Sequence, residues 1–270
     1  FVGLEPNAAY YFRGWSRNMD AEVEQTPDLT IGWTLAITPG APNVLSANSV
    51  DFLRLSSDEP FNTGANTKIT MYAVKVNTGT NVDMWVGSDG LLTETTYWAV
   101  KDSWKGKVIN GLNANTKYDM SVCAKNQAGV VTAYSGVTGR YTLIESPVSL
   151  YAAEITTTTI LLQASYYFTN LGDSGYGLKF SINSGMDWSE HITSTTTYLA
   201  QGLSTNTAYD CEVEVFNGDG ISGGKAYATI YTRIERSTYV VFGVITSSSI
   251  VLRAGGEFSN LDIDESGINV

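Results

Sequence analysis

The chain of 270 residues is 43% hydrophobic, so it can bury real cores. Charged residues make up only 16%, against about 25% in an average soluble protein, which excludes a coiled coil and a charge-rich disordered tail. A net charge of −11 excludes nucleic acid as a partner, because phosphate binding needs an excess of Lys and Arg.

No apolar run approaches the ~18–20 residues of a membrane span. The polar load falls on Thr, Ser, Asn, Gly and Tyr, a composition expected of secreted all-β surface proteins rather than cytoplasmic enzymes. The chain opens at Phe1 and stops at Val270, and we read it as a processed protein or a stretch of a longer one. Two cysteines, Cys123 and Cys211, are too few for a disulfide framework. The many Asn residues never form an Asn-x-Ser/Thr acceptor, which points to a bacterial or archaeal surface.

Taken in chain order, an octet recurs: Gly3 to Tyr10, Gly111 to Tyr118 and Gly202 to Tyr209. About thirty residues beyond each octet leucine stands a second marker: Thr34-Leu35, Thr142-Leu143 and Thr232-Arg233. A third is an apolar strand, Phe52-Leu53-Arg54, Ile160-Leu161-Leu162 and Ile250-Val251-Leu252. Three markers in phase predict a tandem array with a period of roughly 90–108 residues.

The first segment predicts one strand from Tyr10, with Tyr10, Phe12, Gly14 and Ser16 inward. Tyr11, Arg13, Trp15 and Arg17 then line its outer face. Guanidinium groups stack on aromatic rings and both are enriched at contacts, so this stripe is a candidate interface; cross-strand decoration is the plain reading and a glycan platform a third. The second segment carries extra length around Met84 to Trp104, where Trp85, Trp98 and Trp104 are candidates for an exposed aromatic platform. After its octet, Tyr118, Met120, Val122 and Ala124 alternate with Asp119, Ser121, Cys123 and Lys125, as in a half-buried strand. By this alternation Cys123 faces away from the core.

The third segment repeats the pattern, with Tyr209, Cys211, Val213 and Val215 inward. Asp210, Glu212 and Glu214 then make an acidic stripe, read as a solvated face or as a contact for cations or a basic neighbour. Thr156 to Thr159 and Thr195 to Tyr198 read as strand residues. The lone His191 has no partner for a histidine metal site or a triad and reads as a surface residue. In the fourth segment Asp262, Asp264 and Ser266 place oxygens at alternate positions before Gly267, a candidate calcium loop beside the plainer reading of an acidic turn. Turns at Asn126 to Gly129 and Asn217 to Gly220 close the long strands. No amphipathic segment of helical length is present. The fold class is therefore all-β, built from sandwiches.

Leu112 to Gly129, with its Leu-x-x-Asn-Thr-x-Tyr core, resembles the E–F corner and strand F of fibronectin type III domains. Tyr141-Thr142-Leu143 followed by Pro147 resembles the family's last strand and the start of a next module. The resemblance implies a tandem array of immunoglobulin-like, fibronectin type III-like sandwiches of a secreted or surface protein. It divides the chain into the end of one module (1–38), two complete modules (39–146, with the insertion, and 147–233) and the beginning of another (234–270). It departs from the family in lacking a Trp on the second strand, where Ser56, Ala164 and Ala254 stand.

It further implies that Tyr10, Tyr118 and Tyr209 are structural tyrosine corners, buried and bonded back to upstream backbone. The expected function is a non-catalytic structural or adhesive segment of an extracellular assembly: surface layer, sheath, filament or adhesin stalk. The alternative is a spacer or glycan-binding module attached to a secreted carbohydrate-active enzyme. Expected partners are other copies or neighbouring modules, with glycans second. No catalytic residue and no cofactor beyond the calcium candidate is expected.

Overall fold

A computed structural model describes all residues except 22, 26–28, 46–48, 78–82, 166, 184–187, 190, 191, 193 and 262–270. The chain divides into two compact units, Phe1–Leu143 and Ile144–Val270.

The first unit opens with β1 (Ala9–Phe12), β2 (Trp15–Arg17), β3 (Val23–Gln25) and β4 (Thr30–Trp33). β1 pairs antiparallel with β4 and β2 with β3. The single strand expected from Tyr10 is thus broken at Arg13 and Gly14. Phe12 stands opposite Thr30 but Trp15 opposite Gln25, so the connecting stretches differ in length and the ladder cannot run through. The break removes the common pleat that was to hold Tyr11, Arg13, Trp15 and Arg17 on one face.

The sandwich that follows adds β5 (Phe52–Arg54), β6 (Met71–Asn77), β7 (Met84–Val86), β8 (Leu92–Thr93), β9 (Ala99–Val100), the one-turn α1 (Lys101–Trp104), β10 (Val108–Asn110), β11 (Lys117–Lys125) and β12 (Thr138–Tyr141). One sheet joins β5 to β10, with Val44 bridging to Leu55 at its edge. The other runs β12-β11-β6-β7-β8. Along β11 and β6 the inward pairs are Met120 with Val76, Val122 with Val74 and Ala124 with Tyr72, all buried. Leu53, Leu55 and Ile109 close the core from the opposite sheet.

Alternation therefore places the core correctly, yet Cys123 on the other pleat is also buried, at 1% exposure. Residues 130–137 lie along β11 and cover it: the Thr132 and Ser135 N–H groups donate to Ala124 and Val122 carbonyls at 2.9 and 2.8 Å. An outward position is solvated only if nothing packs on that face.

Trp104 corrects a second expectation. It is fully buried, and its Nε1 donates to the carbonyls of Tyr72 and Ala99 at 3.2 and 3.3 Å. The insertion folds inward and supplies a core tryptophan. Trp85 and Trp98 remain partly exposed, with the Lys125 ammonium 4.3 Å above the Trp98 ring.

The second unit holds β13 (Ser149–Ile155), β14 (Thr159–Ser165), β15 (Leu178–Ser181), β16 (Thr197–Gln201), β17 (Ala208–Phe216) and β18 (Ser222–Tyr231). They form two sheets, β13-β14-β16 and β15-β17-β18, around Ile144, Ile160, Leu162, Phe180, Val213 and Val215. Thr156 to Thr158 are a turn rather than strand. The Thr156 hydroxyl accepts the Thr158 and Thr159 N–H groups at 3.2 and 2.9 Å, and such local bonds compete with a ladder. A last hairpin, β19 (Tyr239–Ile245) with β20 (Ile250–Gly255), is exposed along nearly all its length.

Candidate functional site

The repeated octet folds identically three times. Gly3, Gly111 and Gly202 have φ of 74°, 71° and 72°, and Asn7, Asn115 and Asn206 have φ of 48°, 41° and 47°. A left-handed backbone suits Gly, and Asn better than other side chains. This path brings each octet tyrosine back over its own start. The Tyr10, Tyr118 and Tyr209 hydroxyls accept the N–H groups of Glu5, Asn113 and Ser204 at 2.8, 2.8 and 2.7 Å.

The second marker completes the same corner. Thr34, Thr142 and Thr232 donate their hydroxyls to the carbonyls of Glu5, Asn113 and Ser204 at 2.5, 2.6 and 2.6 Å. Each also accepts an N–H, from Ala8, Thr116 and Thr207. The Thr markers thus tie the last strand of a module to its corner, a role the sequence left unassigned. Tyr118 is buried at 3% exposure, and burial pushes its phenol above the usual range, whereas Tyr10 and Tyr209 are half-buried. Leu112 and Leu203 are buried beside their tyrosines, while Leu4 stays open at 37%.

Among the four residues of the candidate stripe, Tyr11 and Trp15 are 64% and 65% exposed, and Arg13 and Arg17 are exposed as well. A hollow of about 420 Å³ lies beside them, lined by Phe1, Leu4, Tyr10, Phe12 and Trp15 among others. Phe12 itself is 36% exposed, with its ring over Gly32 and 5.4 Å from the Phe1 ring centroid. Aromatic groups thus crowd one end of the unit without a covering sheet among the described residues.

The acidic stripe on β17 is not a free face. Lys225 on β18 reaches Glu212 at 2.6 Å and Glu214 at 3.3 Å, and Asp210 accepts the Thr229 hydroxyl at 2.7 Å. Glu212 raises the Lys225 pKa through this bond. The cross-strand lysine, which the sequence of β17 alone does not show, offsets part of the field expected to attract cations. No group of His, Cys, Asp and Glu suited to a metal ion occurs among the described residues. Asp262, Asp264, Ser266 and His191 lie outside the described residues.

Both cysteines are free and buried. Burial pushes the Cys123 thiol up and takes Cys211 to about 11. Neither thiol is expected to react with iodoacetamide at pH 8 until the chain unfolds, because the thiolate is the nucleophile. The sign for stability follows. The unfolded thiols ionise first as pH rises past about 8.5, so the native state loses stability in the alkaline limb. Urea melts at pH 8 and pH 10 check this: the midpoint should fall further in wild type than in Cys211→Ala, and equal shifts would contradict it.

No protein-family model matches the chain, and no curated protein does. Solved structures it is similar to include a two-domain fibronectin type III segment of chicken tenascin. That match has 14% identity and a TM-score of 0.47, over 73% of this chain and all of that one. Another is the chicken CNTN1 FN1–FN3 segment, at 16% identity and TM-score 0.29, over 84% of this chain and 78% of that one. At those values the likeness says nothing of function. In residues 147–233, strands one, two and four share a sheet and strands three, five and six share the other, with a tyrosine corner ahead of strand five. Residues 39–143 follow the same order, with the Val44 bridge to Leu55 in place of the first strand and β7, β8 and β9 added to the sheet of β6. The chain is a tandem array of fibronectin type III-like β-sandwiches.

Proposed function

We propose that the chain is a non-catalytic structural segment of an extracellular surface assembly, in which the modules act as spacers and contact elements. The observation that carries this reading is the closeness of successive modules. Thr34 still belongs to the first corner, while the Gly40 N–H already donates to Asn62 of the next sandwich at 2.7 Å. In the second unit the Arg233 N–H donates to Thr156 at 2.9 Å, and Thr238 already donates to Gly255. Such junctions leave little slack, unlike Gly/Ser linkers. The low charge and the Thr-rich surface support the same reading.

The test is to treat intact cells that carry the parent protein with protease and to assay the purified chain on polysaccharides. Peptides of this chain should be released from the cells, with no turnover and no polysaccharide retention. Retention lost in Trp98→Ala would instead favour a glycan-binding module of a carbohydrate-active enzyme.

In this reading Tyr11, Arg13, Trp15 and Arg17 meet another module of the array or another copy. Trp15→Ala should then weaken self-association in sedimentation velocity more than Arg17→Ala, because a central aromatic more often dominates a contact. Equal, negligible effects would remove the contact face.

A further inference from the structure

An asparagine in the left-handed region is unusual enough to ask what its side chain does. Glycine would adopt φ near +45° without strain, yet all three corners carry Asn. In the first corner Asn7 is fully buried, and its side chain leaves its own loop. Its Oδ1 accepts the Gln127 N–H at 2.9 Å and its Nδ2 donates to the Thr70 hydroxyl at 2.8 Å. Its carbonyl accepts the Thr67 hydroxyl at 3.1 Å. Both Thr residues sit in the loop between β5 and β6 of the following sandwich, where β5 takes the second-strand place because the Val44 bridge stands for the first. That sandwich returns the contact: Asn126 Nδ2 donates to the Thr34 carbonyl at 3.0 Å, and the Asn66 side chain pairs with the Ile37 N–H and carbonyl, both at 2.7 Å.

The second unit repeats the arrangement with different partners. Asn206 Nδ2 donates to the Asn260 carbonyl at 2.5 Å, and Asn260 Nδ2 donates to the Thr205 carbonyl and Thr207 hydroxyl at 2.7 and 3.0 Å. Asn260 lies just after β20, in the same loop of the next module, and its own φ is 54°. Beside it Glu235 accepts the Ser259 N–H at 3.1 Å. The sandwich of residues 147–233 carries the same preset loop. Glu145 accepts the Thr169 N–H and hydroxyl at 3.0 and 2.5 Å, and Asn170 has φ of 50°. Within each unit, one corner asparagine thus meets one loop of the module that follows it.

We propose that Asn7 and Asn206 are docking residues, each binding the loop that follows the second strand of the next module within its own unit so that these two joints are held rather than hinged. The chemistry of the asparagine contacts is neutral amide to hydroxyl, carbonyl and backbone N–H, which keeps its strength in salt, unlike an exposed ion pair. This inference deepens the spacer reading and rests on it: a spacer transmits position only if its joints are held.

Asn7→Gly and Asn206→Gly, made in the full chain, keep the left-handed backbone and remove only the amide. In Asn7→Gly the Gln127 amide should exchange with solvent about two- to tenfold faster, the loss of one net hydrogen bond. The Val122 amide, bonded within its own sandwich to Ser135, should not change. In Asn206→Gly, trypsin should cut after Arg236 in the second joint faster by a similar factor. Asn7→Asp, which keeps Oδ1, should restore protection of Gln127. Unchanged Gln127 exchange and unchanged cleavage after Arg236 would overturn the proposal, as would an unprotected Gln127 in the wild type. Failure of the spacer reading shows separately, as turnover or polysaccharide retention, which neither substitution should alter.

Discussion

Replacing Trp104 by Ala is expected to be among the most damaging single changes in the chain. The side chain is fully buried in the first core, with Tyr97 edge-on at 5.7 Å, and its N–H serves two carbonyls. Removing a buried aromatic costs about 3–5 kcal/mol through lost transfer energy and the cavity left behind. For a sandwich of this size that lowers the melting temperature by tens of degrees. The loss should be confined to the transition of the unit that contains Trp104. The second core, around Ile160, Phe180 and Val213, contains none of its neighbours. Calorimetry of wild type and variant checks both parts. A shift of all transitions together would mean that the two units do not unfold separately, and a loss under 1 kcal/mol would mean that the insertion is not part of the core.

Tyr118→Phe should come next, at about 1–3 kcal/mol, because it strands the Asn113 N–H in a buried place while keeping the ring. Tyr209→Phe removes an identical bond from Ser204, but around a half-buried ring where water can replace the hydroxyl. It should therefore cost less. Urea denaturation with a common slope gives the ordering directly. Equal losses would show that the corner's worth lies in the bond itself, and a reversed order would place the packing elsewhere. The contrast uses one motif as its own control, since the three corners share backbone geometry and differ chiefly in what surrounds them.

The corner was legible in the sequence because its causes are local. A glycine and an asparagine at positive φ and a leucine and tyrosine at fixed spacing act over eight residues, and no distant partner is needed to specify the turn. The inward face of β11 was legible for a similar reason, since the pleat alternates regardless of what lies above it. The third identical side chain of the octet, Asn, was visible as a repeat but had no evident purpose. Its partners, Thr70, Gln127 and Asn260, lie 54 to 120 positions away.

Amino-acid order alone thus determined the all-β class and the tyrosine corners, both of which follow from backbone preferences and a period of two. Tertiary structure decided the rest. Whether Cys123 is wet depends on residues 130–137 folding across β11, and whether Glu212 is a free charge depends on Lys225 arriving from the next strand. Whether the strand after Tyr10 continues depends on the length of chain opposite it, and whether Trp104 is a platform or a core residue depends on where the insertion packs. Each of these is a question of what lies on the far side of a sheet. Alternation sorts a strand's side chains into two faces, but only the packed neighbours determine what each face meets.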